Sequence, residues 1–444
     1  MSEIPAPPVP PVSGMRGRRW PAWPAWLAAA PAPAGPAWGP ARRIAFRFVF
    51  AYLVLPEGFG LERTVWQPMV AWVGKRVFQL GKPLSLLSED GSGDDTARFV
   101  LLFCQVALAA AAALVWTLLD RRSQDHRRLH AGLTLYLRYL LGSILFRYGM
   151  FKLIKGQFMY PHETKLEEPY GDMSPMGLLW TFMGYSTPYN VFAGAAEAGA
   201  GLLLLFRRTT PLGALLAVAV MVNVLMINFS YDVSVKLGAS SLLLMAAFLL
   251  APDLRRLADL LVLQRPTAPK RVAPPPGGPR WRRLGPLALK TAVIGYILIS
   301  ITKSSVDRWL LFDRIRSRSE AKYARTYEVD DFVRNGSPVP ASPNDASRWH
   351  SLEFRPGGAV VTAMDDRSFA VDYDAARQTL AVPGGDRQAS RGVLACARPD
   401  AEHLVLTGTL AGDSLIVTLH SLDPRRFFLA SRDFHWIDEA PEDR

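Results

Sequence analysis

Residues 209–231 contain no charged side chain, and residues 97–120 carry only Arg98 and Asp120, one near each end. An apolar run of about 18 or more residues with few charges is long enough to span the hydrocarbon core of a bilayer. A helix of that length on a soluble protein would carry a polar stripe toward water, and neither run has one. The chain therefore reads as an integral membrane protein.

Seven spans are expected, at 42–57, 97–119, 130–153, 187–206, 210–231, 233–252 and 286–302. The first is the weakest, because its clean apolar stretch is short and Arg47 must snorkel to the interface. Orientation follows from the basic residues, which crowd into alternate connections: Arg16 to Arg43, Arg121 to Arg128, Arg207–Arg208, and Arg255 to Arg283. By the positive-inside rule these connections face the cytoplasm. All four clusters fall on one side only if seven helices cross, which places the N-terminus inside and the C-terminal region outside. The expected compartment is a bacterial cytoplasmic (inner) membrane.

The formal net charge of +12 does not indicate nucleic acid, because the basic residues sit in short clusters between apolar runs. Cys104 lies inside a span and Cys396 beyond the last one, and no CxxC occurs, so a dithiol mechanism is disfavoured. Residues 1–41 are rich in Pro and Ala and are expected to form a disordered cytoplasmic tail. On the outer side, Val65–Phe78 reads as an amphipathic interfacial stretch, and Met173–Gly184 as a helix on the membrane surface. The segment His162–Asp172 reads as solvated loop charge, without the spacing of an EF-hand. His126 and His130 share a helical face, but Arg127 and Arg128 between them would repel a metal cation. Gly91-Ser92-Gly93-Asp94 lacks the Lys-Ser/Thr of a phosphate loop and reads as a turn, with Asp94 or Asp95 capping the next helix.

From about residue 323 the hydrophobic period changes from helix to strand. Short alternating or β-branched runs occur at 349–354, 359–364, 368–373, 379–382, 392–397, 403–410, 414–419 and 426–429, separated by Pro-Gly-Gly and Ala-Gly-Asp turns. This spacing predicts an antiparallel meander closing into a barrel or sandwich. The expected organisation is a tail (1–41), an all-α transmembrane bundle (42–302) and an extracytoplasmic β-rich domain (323–444).

Several stretches carry a family resemblance. They are Gly91-Ser92-Gly93-Asp94, Phe146-Arg147-Tyr148-Gly149 with Lys152, the run Gly171 to Gly184, Phe192-Ala193-Gly194 with Glu197, and Asn228-Phe229-Ser230-Tyr231-Asp232-Val233 with Lys236. Together with the terminal Phe434-His435-Trp436-Ile437-Asp438-Glu439, they resemble the DoxX-type membrane proteins, in the subgroup with a C-terminal extension. The resemblance implies a four-helix membrane core. Some relatives are subunits of a thiosulfate:quinone oxidoreductase and most have no assigned activity, so quinone is the cofactor that the resemblance implies. A membrane bundle followed by a β-domain also resembles, in architecture alone, the γ-carboxylases and lipase maturation factors.

Polar residues inside spans mark the candidate site. A charge at mid-bilayer costs about 2.5–3.5 kcal/mol on insertion scales, so it is usually paired and faces the protein interior. Glu197 is expected about 15 Å below the outer end of its helix, and Arg147, about 10 Å below the outer end of its own, is its nearest partner in depth. Asp232 and Lys236 are four apart and can pair. The expected site is a polar cavity in the outer leaflet, with Glu197 and Arg147 as catalytic residues and Tyr148, Asn223, Asn228, Asp232 and Lys236 binding the ligand. The alternative is that these groups only fix helix packing. Three functions follow: a quinone-linked or redox-associated subunit with a quinoid or anionic ligand, an assembly factor whose β-domain grips an extracytoplasmic protein partner, and a transporter, for which no inverted repeat is evident.

Overall fold

The protein is described by a computed structural model covering residues 38–54, 62–86, 93–120, 126–267, 280–320, 326–343, 345–355, 358–383 and 390–431. The expected tail up to Pro36, residues Gly91 and Ser92, and the motif Phe434–Glu439 lie outside the described residues. Contacts divide the chain into two compact units, Met1–Leu140 with Ala251–Ile294 and Leu141–Leu250 with Gly295–Arg444.

In the first unit, helix α1 (Pro40–Val54) packs on α3 (Thr96–Leu119), as does α2 (Gln67–Arg76). Asp95 caps α3 by accepting from the Arg98 amide at 2.7 Å. Trp66, just before α2, and Val70 and Val73 on its apolar face pack with Val100, Leu101 and Cys104, while Trp72 stays exposed. Arg47 does not snorkel. It is buried, and donates to the Asp120 carbonyl at 2.8 Å and to Nε2 of His126 at 3.0 Å. The end of α3 and the chain entering α4 (Arg127–Leu153) offer these acceptors nearer than water, and Phe46 stacks on the imidazole at 5.7 Å.

In the second unit, α4 continues and is followed by α5 (Glu163–Glu167), α6 (Pro175–Tyr185), α7 (Thr187–Leu205), α8 (Thr210–Ser230) and α9 (Lys236–Leu250). Ser174 and Ser186 cap α6 and α7, each ahead of a proline in the first turn. Helices α7, α8 and α9 pack in sequence order, and α4 crosses α7 through glycines. A Cβ on Gly201 would meet the Gly142 carbonyl and the Phe146 amide at 2.6 Å, and one on Gly194 would meet the Gly149 carbonyl at 2.8 Å. Small residues are what allow two membrane helices to approach this closely. Glycine is thus required here for contact rather than for backbone freedom, and α4, α7, α8 and α9 form the four-helix core.

Five helices among the described residues are long and apolar enough to cross a membrane: Thr96–Leu119, Arg127–Leu153, Thr210–Ser230, Lys236–Leu261 and Leu284–Leu311. All five overlap expected spans. The other two expected spans correspond to α1, whose 15 residues reach only about 22 Å, and to α7, which carries Glu197. After α10 (Leu254–Leu261), helix α11 runs from Arg280 to Glu320, well past its expected end at 302. Lys303, just past that end, pairs with Asp307 one turn on at 3.2 Å, a spacing that supports the helix.

The C-terminal strands are β1 (Thr326–Arg334), β2 (Ser337–Pro338), β3 (Trp349–Arg355), β4 (Gly358–Ala363), β5 (Ser368–Asp374), β6 (Thr379–Pro383), β7 (Ser390–Ala397), β8 (His403–Leu410) and β9 (Asp413–Ser421). Strands β3 to β9 form an antiparallel meander, and β1 pairs with both β3 and β9, closing an eight-stranded barrel with β2 as a short flap on β1. Closure leaves no free edge for the main meander. Inward residues, among them Tyr327, Phe332, Leu352, Leu380, Leu394 and Val417, fill the core. The Ala411-Gly412 turn joins β8 to β9 with φ of 53° and 93°, the positive-φ pair of a two-residue hairpin. Seven of the eight expected strands are present. Arg426–Leu429 instead belongs to a 3₁₀ turn (Pro424–Arg426) and α12 (Phe428–Ser431), and the eighth barrel strand is β1. A bulge between Val329 and Asp331 breaks the alternation of β1, which hid it in the sequence.

Segment 162–168 seats on the outer face of the barrel rather than standing in solvent. Thr164 donates to Glu353 at 3.0 Å, His162 lies 3.7 Å from the same carboxylate, Thr326 donates to Glu163 at 3.3 Å, and Arg426 bonds Glu167. Burial works to raise the Glu353 pKa, but the hydrogen bond from Arg355, the nearby His162 charge and the Thr164 bond outweigh it and hold the carboxyl below its ordinary range. Burial raises that of Glu167, and Glu328 and Glu163 add to this against the opposing Arg426.

Two outcomes follow. Gly149→Leu places a side chain against the Ala198 amide and the Gly194 carbonyl, and is expected to lower detergent-solubilised stability by about 1–3 kcal/mol or more, read as a drop in thermal midpoint. The lowered Glu353 pKa contributes stability that is full above the ordinary Glu pKa and is lost as pH falls through the folded value. A denaturant series from pH 7 to pH 3 should show Glu353→Gln losing less stability on acidification than the native chain. Parallel pH curves would refute that assignment.

Candidate functional site

Along α4 the buried positions Arg138, Leu141, Gly142, Leu145, Gly149 and Lys152 recur at three- and four-residue steps, which places them on one helical face. On α7 the buried stripe is Asn190, Gly194, Glu197, Ala198 and Gly201. The two stripes meet at the glycine crossing, and there Nζ of Lys152 donates to both carboxylate oxygens of Glu197 at 2.7 Å. Lys152 is 8% and Glu197 3% exposed, so water screens the pair little.

The expected partner of Glu197 was Arg147, and the structure replaces it with Lys152. Glycine contacts fix the helices antiparallel, with Gly149 against Gly194 and Ala198 and Gly142 against Gly201. Arg147 therefore lies near the level of Glu197, as depth suggested. Five residues separate it from Lys152, a rotation of about 140°, and it is exposed with its guanidinium 5.6 Å from the Tyr148 ring centroid. Level alone does not make a contact; the side chain must also point the right way. Lys152 sits a turn higher and reaches down along the shared face.

The other expected residues divide. Asp232 and Lys236 form an ion pair at 2.7 Å at the α8–α9 turn, where Asp232 adopts φ 49° and is solvent-exposed. Asn223 and Tyr148 are exposed, while Asn228 is buried and its Nδ2 has no hydrogen-bond partner among the described residues. Asn190 was not anticipated. It is fully buried, donates from Nδ2 to the Phe158 carbonyl at 3.2 Å, and leaves Oδ1 without a partner among the described residues. Phe158, whose carbonyl accepts from Asn190, shares an apolar cluster with Val233, whose amide donates to the Asn228 backbone carbonyl at 2.9 Å. The sequence signal for Asn190 is its place seven residues before Glu197, two turns along the same face.

Chemically, the pair offers an ammonium able to donate to an anion or a carbonyl, beside a carboxylate able to accept a proton. Breaking such a pair by removing one partner costs about 3–5 kcal/mol, because the other charge is left buried. A ligand that displaces Lys152 from Glu197 must therefore supply a replacement contact. Cys104 and Cys396 are both buried and free, and burial pushes the Cys396 thiol up to about 12.

A family profile described as DoxX matches residues 133–229, a range that begins in α4 and ends in α8 and includes Lys152, Asn190, Glu197 and Asn228. The uncharacterized protein YwoB of Bacillus subtilis (strain 168) is 35% identical over 119 residues, covering 27% of this chain and 75% of that protein. No solved structure matches the chain. The family match runs from α4 to α8, short of α9 and of the barrel, and the chain is a membrane protein belonging to the DoxX family.

Proposed function

We propose that the Lys152–Glu197 pair is the working centre of a ligand site, and that the protein is a redox-associated membrane subunit taking an anionic or quinoid small molecule there. The supporting observation is a buried ion pair accompanied by an unmet amide acceptor on Asn190 and an unmet amide donor on Asn228. Packing alone gives little reason to keep this set, since apolar residues of similar volume hold helices together as well as a buried ion pair or better. A quinoid carbonyl or an anion suits the Lys152 ammonium and the Asn228 Nδ2, and a quinone bound there would supply two-electron chemistry. Glu197 would hold or release the accompanying proton. Arg147 with Tyr148, Asn223, and the exposed Asp232–Lys236 pair would guide a charged ligand inward.

In this reading the N-terminus is cytoplasmic, residues 42–302 form the membrane domain of a bacterial inner-membrane protein, and the domain at 323–444 lies outside. A second reading, an assembly factor gripping a client through the barrel, is favoured by one feature. Val393 and Ile416 are exposed on its outer surface at 46% and 44%.

The single variants Glu197→Leu and Lys152→Leu are each expected to destabilise by about 3–5 kcal/mol, and the double Leu variant to recover most of that loss. Native mass spectrometry of the purified full chain should show a bound small molecule in the native protein and none in the refolded double variant. An unchanged ligand signal in the double variant would sink the proposal, while a shared client lost on Val393→Asp would favour the second reading.

A further inference from the structure

Helix α10 (Leu254–Leu261) follows α9 after three residues, and none of its eight residues is buried. At 100° per residue, Leu254, Leu257, Ala258 and Leu261 fall within one 100° arc, and Arg255, Asp259 and Arg256 fill the arc opposite. Exposed apolar residues continue past the helix. Val262 is 76% and Leu263 51% exposed, beside Leu254 at 53% and Leu261 at 64%. The end of the helix is tied down, with the amides of Val262 and Leu263 donating to the Ala258 carbonyl and that of Arg265 to Asp259 at 2.7 Å. Leu254, Leu257 and Leu261 thus share one helical side, and the turn that follows is held rather than frayed.

A contiguous apolar patch of this kind on a folded surface marks an interaction site. The apolar stretch Lys236–Leu261 includes α10, but the 3₁₀ turn Ala251–Asp253 sets α10 apart from α9, and eight residues by themselves are too short to cross a bilayer. Its polar side carries Arg255 and Arg256 against the single acid Asp259, and Arg265 follows. Apolar residues on one side, arginines on the other and a spanning helix directly upstream are the features of a helix lying in the membrane interface. Anionic headgroups complement the arginines, each worth about 1 kcal/mol near a charged surface. We propose that α10 is an interfacial anchor that seats its leucine face in the acyl boundary and binds anionic lipid headgroups through Arg255, Arg256 and Arg265.

The test uses the full chain in vesicles of phosphatidylcholine alone or with 30% phosphatidylglycerol, as the anionic probe. Leu261→Cys and Asp259→Cys place nitroxides on opposite sides of α10, and both native cysteines are buried. Oxygen should relax the Leu261 label several-fold more than an aqueous nickel chelate does, with the order reversed at Asp259. Phosphatidylglycerol should deepen the Leu261 label, and Arg255→Gln with Arg256→Gln should abolish that lipid dependence while leaving the thermal midpoint unchanged. Equal aqueous access at both labels overturns the interfacial placement. Immobile labels reached by neither reagent show that a protein covers the face and overturn it as well. A depth indifferent to phosphatidylglycerol overturns the headgroup assignment.

Discussion

The hydrocarbon of a bilayer offers no hydrogen bonds and little dielectric, so every charge placed in it must find its partner within the protein. The Lys152–Glu197 pair meets that demand, and it can do so only because α4 and α7 touch at Gly142, Gly149, Gly194 and Gly201. Larger residues at the crossing would hold the helices apart and leave both charges unmatched. The four-helix core is therefore organised by one close contact, and its chemistry and its packing cannot be separated.

The same logic recurs at Arg47. The expected route to water through a snorkelling side chain is replaced by acceptors on Asp120 and His126, with Phe46 and Trp116 around the imidazole. A guanidinium carries five donors in a fixed fork, and two neighbouring chain segments satisfy part of that demand more directly than a distant interface.

Outside the apolar helices the constraint changes from partner-finding to closure. Strand β1 closes the barrel by pairing with β9 and β3, and the same strand supplies Thr326 to the α5 contact. The segment between α4 and α6 is thus bound to the barrel by polar contacts, among them the buried Glu353. The acidic residues there do more than solvate a loop.

Periodicity decided what could be read in advance. Apolar runs without polar stripes fixed the spans at 97–119 and 210–231, and alternation with Gly turns located seven strands from Trp349 to Ser421, because both patterns are local consequences of backbone geometry and burial. The sequence alone also required that Glu197 have a partner, since a lone buried carboxylate is too costly. What it left open was direction around an axis and pairing across long separations. By depth Arg147 is the better match, and only the rotation of α4 against α7 selects Lys152. Strand β1 breaks its alternation at a bulge, and only its bonds to β9, about ninety residues away, make it the stave that closes the barrel. Local pattern is set by each residue's neighbours in the chain, whereas these choices are set by neighbours that only the folded chain provides.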